Sequence, residues 1–474
     1  MENKFEYTSI VYDSRKAKPG SAFFCLRGAL FDGHKYASSA YEKGARYFFC
    51  EEILDLPADA KQVIVKDTRR ELAERSREFY GFPDKKLKII GITGTKGKTT
   101  ISNVIHQVFN AAGINTAVIG TNGMIIDGKR RPTENTTPES HELFSAFADM
   151  VKCGTTHCVM EVSSQAYKLG RVHGISFDTA VFTNLSPDHL GPNEHADFDE
   201  YMLCKACLFE NSDMSIINSD DDFADVMIEH SRGEIIKFSL RDTDADFFAD
   251  DIRTWKSESA LGVDFMLHCD AGESRIKIST PGEYSVYNAL AVIAVADRYG
   301  VSLEKLENEI PKAHVKGRFE IVDALPWSTF IIDYAHNEIS LRNVLKTIKS
   351  YNPRRLICLF GSVGDRTQIR REELGRIAAK YSDFCILTSD NPGFEKPMNI
   401  INGIEHGIDG KVPYVCIPDR REAVIYAVRN AQRGDVIVFA GKGHEDYQLI
   451  YGVKEHFSER EIIEEEVSKI KMNV

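Results

Sequence analysis

No run of about 18 apolar residues, the length a bilayer-spanning helix demands, occurs in this 474-residue chain. The opening Met1-Glu2-Asn3-Lys4-Phe5-Glu6 lacks the basic and apolar regions of a signal peptide. Both absences predict a cytoplasmic protein with no membrane partner. Positive charge is also short: 59 Lys and Arg stand against 71 Asp and Glu, a formal net charge of -12. That balance argues against nucleic acid or an acidic membrane as the main partner, so an anionic nucleotide must meet its own local cations. Ten cysteines are scattered without disulfide-like spacing. Cys158, Cys358 and Cys385 fall in apolar strand-like runs, as buried reduced thiols do. Cys204 and Cys207 form one C-x-x-C with no second pair, a pattern that helix packing explains without redox or metal chemistry. No internal repeat or low-complexity tract is visible.

What is present is an ordinary globular composition, 43% hydrophobic and 27% charged, in a chain too long for one core. Three textures divide it. Residues 1–86 carry short strand-like runs around Ile10, Phe23, Phe48 and Ile64, with a helix-like stretch near Lys35 to Lys43, and predict a small α/β domain. Residues 87–319 alternate strands and helices, which predicts a parallel sheet covered by helices. From residue 320 to 474 the alternation restarts with strands at 329–332, 356–360, 384–387 and 436–439, a second, Rossmann-like doubly wound sheet. Ser458 with Glu461 reads as a capping box opening a last helix. The fold class expected is therefore α/β in three domains.

The richest stretch is Ile90-Gly91-Ile92-Thr93-Gly94-Thr95-Lys96-Gly97-Lys98-Thr99-Thr100, an apolar strand running through a glycine-rich loop into a helix. Its backbone N–H groups can face phosphate oxygens, and the helix start adds roughly half a positive charge. Lys98 is placed to neutralise β/γ-phosphate charge and Thr99 to ligate Mg²⁺. Ile92 stands where the eight-residue P-loop pattern has its first glycine, so the motif is a shorter form of that loop. ATP is the cofactor this predicts.

Polar residues recur just beyond later strands. Glu161 follows His157 to Met160 and would lie near the phosphate loop, because parallel sheets bind ligands beyond their C-terminal strand ends. As a carboxylate it is a candidate Mg²⁺ ligand. In Asn184-Leu185-Ser186-Pro187-Asp188-His189, His189 could ligate metal or cap the turn. Downstream, Asp197 is a plausible N-cap for a helix whose phase puts Tyr201, Cys204, Lys205 and Leu208 on one stripe. Lys205 is thus pinned to an apolar face. Two outcomes are open to it: its ammonium can snorkel to water, or burial can favour a neutral amine that reacts with CO₂ to give a carbamate.

Together with Tyr287-Asn288-Ala289, Gly317-Arg318-Phe319-Glu320, Asp333-Tyr334-Ala335-His336 and Gly441-Lys442-Gly443-His444-Glu445, these motifs stand in the order seen in Mur ligases. The chain resembles that family over essentially its whole length. It is most similar to the members that add the third residue of the cell-wall peptide, on Asp13-Ser14-Arg15, Asp32-Gly33-His34 and Gly170-Arg171-Val172. The resemblance implies catalytic roles for Lys98, Glu161, His189 and Lys205. It implies ATP contacts from Gly94 through Thr100 and from Asn288, Arg318 and Asp333. Two Mg²⁺ ions would be held by Thr99, Glu161, His189 and Lys205, the last as N6-carboxylysine formed with CO₂. Ser14 would contact the uridine nucleotide, and Asn135, Thr136, Thr137, Ser163 and Arg171 the muramoyl-peptide arm. Leu169 stands where some members have glutamine, which leaves that contact to Gln165 or solvent.

By the same resemblance the activity is ATP-dependent ligation of a diamino acid to UDP-MurNAc-L-Ala-D-Glu through an acyl phosphate, by a monomer. Arg366, Asp390, Asn391, Gly441 and Glu445 would receive the amino acid. In the diaminopimelate-adding members the motif at Asp390-Asn391-Pro392-Gly393 ends in arginine; Gly393 points instead to L-lysine, with meso-diaminopimelate and L-ornithine as alternatives. A sibling such as folylpolyglutamate synthase would not keep Asp13-Ser14-Arg15, and a non-catalytic binder would be expected to have lost Lys98, Glu161, His189 or Lys205.

Overall fold

The computed structural model describes residues 6–28, 31–187, 191, 194–257, 260–364 and 367–472. His189 and Arg366, two of the expected site residues, lie outside the described residues. The chain divides into two compact units, residues 1–248 with 290–306 and residues 249–289 with 307–474. The segment 249–306, which falls wholly inside the expected central domain, is therefore shared between the two.

The first unit opens with four parallel strands, Ser9–Val11, Ser21–Phe24, Tyr47–Cys50 and Lys61–Ile64, paired in that order. Their side chains alternate between two small cores. Phe23, Cys25, Phe48 and Cys50 face one side, and Ala22, Phe24 and Phe49 the other, as the two-residue period of a strand dictates. The helix-like stretch near Lys35 is a 3-10 turn, Gly33–Tyr36, followed by a short α-helix, Ala37–Glu42. A longer helix, Thr68–Phe79, was not expected from the sequence. Seven of its twelve residues are arginine or glutamate, and only Leu72, Ala73 and the small Ser76 and Thr68 are buried, so its apolar stripe is thin. Asp67 caps it, accepting from the backbone N–H groups of Arg69 and Arg70.

The rest of this unit is the phosphate-loop sheet. Its strands run in the order Lys129–Arg131, Gly123–Ile126, Thr116–Gly120, His157–Glu161, Lys88–Thr93, Thr179–Phe182, Met214–Asn218 and Glu234–Ser239. Six of these are parallel; the first two form an antiparallel edge. Helices Ser140–Lys152 and Phe198–Glu210 pack onto one core with Ile89, Cys158, Met160 and Phe182. Lys88–Thr93 sits between His157–Glu161 and Thr179–Phe182, so the phosphate loop, Glu161 and Thr183 all leave the sheet at the same end.

The second unit has a six-stranded sheet in the order Glu320–Leu325, Ser328–Asp333, Asp435–Ala440, Arg355–Phe360, Phe384–Leu387 and Tyr414–Cys416. Only the first pair is antiparallel. Both faces are buried: Leu356, Cys358, Phe360 and Val438 point into one core, Ile357, Leu359, Ile437 and Phe439 into the other. That double burial is why these strands read as continuous apolar runs. An antiparallel hairpin, Leu261–Cys269 with Gly272–Ile278, also belongs here. The last helix, Glu459–Met472, starts where the capping box predicts; Ser458 Oγ accepts from Glu461 N, while the Glu461 carboxylate turns to His456 Nε2 at 2.7 Å.

Candidate active site

The phosphate loop is built around two left-handed glycines, Gly94 (φ 142°) and Gly97 (φ 92°). A Cβ on Gly94 would come within 1.9 Å of Thr183 Oγ1, so the loop closes only with glycine there. Cross-strand hydrogen bonds hold it: Thr95 N donates to Asn184 O at 2.8 Å, Lys96 N to Asn184 Oδ1 at 3.0 Å, and Thr183 Oγ1 to Lys96 O at 2.6 Å. The helix Lys98–Ala111 then begins with Gly97 as N-cap and no side-chain cap, leaving first-turn N–H groups at Lys98, Thr99 and Thr100 aimed out of the helix. Such a terminus favours an anion.

Two ammonium groups converge on one carbonyl at this loop. Lys98 Nζ donates to Gly94 O at 2.6 Å and Lys205 Nζ to the same oxygen at 3.0 Å. Lys205 is 2% exposed, which settles its place: the stripe read from the helix phase is buried and the ammonium does not reach water. Its Nζ lies 4.5 Å from the centroid of the Tyr201 ring, and the Tyr201 hydroxyl is 3.0 Å from Thr95 Oγ1. Asp197 caps this helix through Glu200 N.

Glu161 is fully buried one strand away. Its carboxylate accepts from Thr99 Oγ1 at 3.0 Å, from Thr121 N at 2.9 Å and from Thr121 Oγ1 at 3.1 Å. These three donors hold the buried carboxylate in one orientation. Gly120 makes the geometry possible, since a Cβ there would stand 2.1 Å from Glu161 Oε1. Neither Gly120 nor Thr121 was singled out from the sequence; the signal was a turn, Gly120-Thr121-Asn122-Gly123, at the end of a buried strand.

Beyond Glu161 the expected arm residues form a connected group. Thr137 Oγ1 donates to Glu161 O at 2.9 Å and to Ser163 Oγ at 3.2 Å, and Thr136 Oγ1 lies 3.0 Å from Thr121 Oγ1. Arg171 donates to Thr137 O at 3.1 Å and through Nε to Glu139 at 3.0 Å; Arg69, on the unexpected helix, takes the other oxygen of Glu139 at 3.0 Å. Asn135 is half-buried nearby in sequence, and the Gln165 side-chain nitrogen is buried without an acceptor among the described residues. Ser14 opens a short 3-10 turn capped by Asp13, whose carboxylate is held low by the forked Arg15 guanidinium.

The remaining expected residues belong to the second unit. Asp333 ends its strand and accepts from Phe319 N at 2.7 Å, with Phe319 held at φ 44°. Burial raises the Asp333 carboxyl above its ordinary range and the neighbouring Arg318 opposes that rise. Arg318 lies over the Tyr334 ring at 4.8 Å, and the Tyr334 ring packs on His444 at 4.9 Å. Burial, then Arg318, lowers the His444 pKa from 6.5 to about 4, so this imidazole is neutral at pH 7. Asn288 is half-buried on helix Glu283–Arg298.

Asp390, Asn391, Gly441 and Glu445 come together beyond the C-terminal ends of strands Phe384–Leu387 and Asp435–Ala440, which flank Arg355–Phe360. Asn391 Nδ2 donates to Glu445 Oε2 at 3.0 Å, and Gly441 (φ 111°) leaves room for Asp390, whose Oδ2 would be 2.6 Å from a Cβ there. Gly393 is at φ 60° and is paired on both sides, its N–H to Leu449 O at 3.1 Å and its carbonyl to Tyr451 N at 2.8 Å. Its neighbour Glu395 is engaged by a two-pronged bond from Arg371, at 2.8 and 2.6 Å.

Three family models match in order: Mur ligase family, catalytic domain, at residues 6–80; Mur ligase middle domain at 92–296; and Mur ligase, glutamate ligase domain, at 317–443. The chain is 41% identical over 462 residues to the UDP-N-acetylmuramoyl-L-alanyl-D-glutamate--2,6-diaminopimelate ligase of Caldanaerobacter subterraneus, covering 97% of this chain and 94% of that one. It is 40% identical over 463 residues to the ligase of the same name from Clostridium perfringens, covering 96% and 94%. A solved structure of a UDP-N-acetylmuramoyl-L-alanyl-D-glutamate--2,6-diaminopimelate ligase superposes with a TM-score of 0.70 at 32% identity, covering 98% of this chain and 95% of that one. With likeness of this degree over nearly its full length, the chain belongs to the Mur ligase family of ATP-dependent, ADP-forming ligases.

Proposed function

We propose that this ligase adds the third amino acid, an L-diamino acid with a plain distal amine, to UDP-MurNAc-L-Ala-D-Glu. The acceptor follows the names of the relatives. The observation that carries the chemistry is the convergence of Lys98 and Lys205 on Gly94 O at the mouth of an uncapped helix start. The Lys98 ammonium, beside first-turn N–H groups that no side chain caps, suits a nucleotide phosphate whether Lys205 is a cation or a carbamate. Gly94, Thr95, Lys96, Gly97, Lys98, Thr99 and Thr100 would hold the phosphates, Asn288 and Arg318 phosphates and base, and Asp333 the ribose. Glu161 and Thr99 have the hard oxygen donors that Mg²⁺ needs, with His189 and Lys205 completing two ion sites. The buried Lys205 side chain suits N6-carboxylysine, which would turn it from a cation into an anionic ligand. Bound Mg²⁺ supplies charge neutralisation as the acceptor carboxylate approaches the γ-phosphate.

The residues then divide the work. Ser14 and the group Asn135, Thr136, Thr137, Ser163 and Arg171 orient the acceptor, whose glutamyl carboxylate attacks the γ-phosphorus to give an acyl phosphate and ADP. Asp390, Asn391, Gly441, Glu445 and Arg366 orient the incoming amino acid, whose neutral amine displaces phosphate. Carboxylates at Asp390 and Glu445 suit a cationic distal amine, and Gly393 offers no side chain for a distal carboxylate, so L-lysine is preferred over meso-diaminopimelate, with L-ornithine a minor option. A second reading, meso-diaminopimelate, is favoured by the names of the relatives. Three working domains, 1–86, 87–319 and 320–474, fit this division of substrates, and the expected setting is a cytoplasmic monomer. Among the described residues no helix is long and apolar enough to cross a membrane.

The test is ADP release on mixing enzyme, Mg-ATP, UDP-MurNAc-L-Ala-D-Glu and one amino acid at a time. ADP formation that requires both the acceptor and a diamino acid supports the reading. Release that proceeds with a folate acceptor and not the muramoyl dipeptide would overturn it.

A further inference from the structure

Lys442 of Gly441-Lys442-Gly443-His444-Glu445 has a side chain that the chemistry above leaves without a task. It is fully buried, at 0% exposure. An ammonium is seldom taken out of water without full compensation, because its desolvation costs several kcal/mol. Here the compensation comes from the amino-acid site. Lys442 Nζ donates to Asn391 Oδ1 at 2.8 Å and to Glu445 Oε2 at 2.7 Å, and lies 3.8 Å from Asp390 Oδ1. The Tyr447 ring, 5.1 Å from Nζ, covers a further side.

These contacts fix more than the lysine. Asn391 Oδ1 accepts from both Lys442 Nζ and Leu449 N, so its amide can present only Nδ2 toward Glu445 Oε2, as it does at 3.0 Å. Glu445 Oε2 therefore takes two donors, which sets the plane of its carboxylate. Below lies a neutral pair: Arg420 donates to Glu459 at 2.7 Å and to the carbonyls of Ser389 and Ala440, pinning the strand ends that carry Asp390 and Gly441. Lys442 thus offsets part of the negative charge that Asp390 and Glu445 bring to the strand ends.

We propose that Lys442 is a positioning residue for the incoming amino acid, acting through Asn391 and Glu445 and setting the charge of their pocket. This rests on the assignment of Asp390, Asn391 and Glu445 to the amino-acid site. The residues expected to hold the acceptor, Ser14, Asn135, Thr136, Thr137, Ser163 and Arg171, belong to the other unit. The effect of its removal must then be selective for one substrate.

The experiment is steady-state kinetics on Lys442→Met, Glu445→Gln and the double variant, with thermal melts alongside. Lys442→Met should raise KM for the diamino acid about tenfold or more while KM for UDP-MurNAc-L-Ala-D-Glu stays within about twofold, and the double variant should be less impaired than the two single effects multiplied, because both act on one network. Equal rises in both KM values, a fall in kcat alone, or multiplicative effects would overturn the proposal. If Lys442→Met does not fold, Lys442→Arg decides by the same readout: the longer, forked cation displaces both acceptors, so a selective rise in amino-acid KM supports the proposal and an unchanged KM overturns it. A Glu445→Gln variant with normal KM for every amino acid would instead remove the site assignment on which the proposal stands.

Discussion

Gly120 and Glu161 show how a single hydrogen atom controls a charged group. Glu161 Oε1 occupies the space a Cβ on Gly120 would fill, at 2.1 Å, while the Gly120 backbone is not in the left-handed region. Alanine there is thus tolerable for the chain and intolerable for the carboxylate. Gly120→Ala should lower kcat by about a hundredfold, the scale on which a misplaced charged group costs rate, with acceptor KM little changed. A variant with normal kcat would show that the carboxylate position is not critical. Lys205 allows a spectroscopic check independent of turnover. With ¹³C-bicarbonate the protein should give a carbamate carbon resonance that is absent in Lys205→Ala, and identical spectra for the two would remove the carboxylysine from the mechanism.

Two buried histidines, His141 on a helix and His444 beyond strand Asp435–Ala440, carry the clearest pH dependence. His141, on helix Ser140–Lys152, lies 3.3 Å from Ser76 Oγ on helix Thr68–Phe79, and burial, with Lys16 second, lowers its pKa from 6.5 to about 4. His444 is lowered to the same value. Both are bases whose folded pKa lies below the unfolded one, so the unfolded chain binds more protons in between. Their contribution to stability is complete above pH 6.5 and is lost as pH falls through about 4. Denaturant melts of wild type and the His141→Gln, His444→Gln double variant should therefore converge between those limits, the wild type falling more steeply; parallel curves would contradict the assignment. The same elements show what sequence reading can reach. Strands buried on both faces, such as Phe384–Leu387, announce themselves as apolar runs, and the phosphate loop, Glu161 and Lys205 follow from where such strands and the next helix must end. Helix Thr68–Phe79 did not announce itself, because arginine and glutamate fill most of its surface and a few small residues suffice to pack it. Thr121, Glu139 and Arg69 were missed for a related reason: each acts through a contact distant in sequence, such as the 70-residue separation of Arg69 from Glu139. The position of Lys442 beneath Asn391 is of the same kind, 51 residues apart in the chain.

Across the whole molecule, the family and the order of its parts follow from full-length likeness, and the amino acid proposed for this chain rests on a few residues of the second unit. The relatives carry diaminopimelate in their names, yet Gly393 stands in the left-handed region at φ 60°, with both backbone groups paired and no side chain to meet a distal carboxylate. The carboxylates of Asp390 and Glu445, proposed to receive the amino acid, suit a lone ammonium at the far end of the substrate. Competition in one vessel tests this most directly. The enzyme would be given Mg-ATP, UDP-MurNAc-L-Ala-D-Glu and equimolar L-lysine, L-ornithine and meso-diaminopimelate, and the uridine-linked products weighed by mass spectrometry. The expected result is a dominant lysine adduct, with Gly393→Arg moving product toward diaminopimelate. A dominant diaminopimelate adduct from the wild type would contradict the selectivity argued from Gly393 and its charged neighbours.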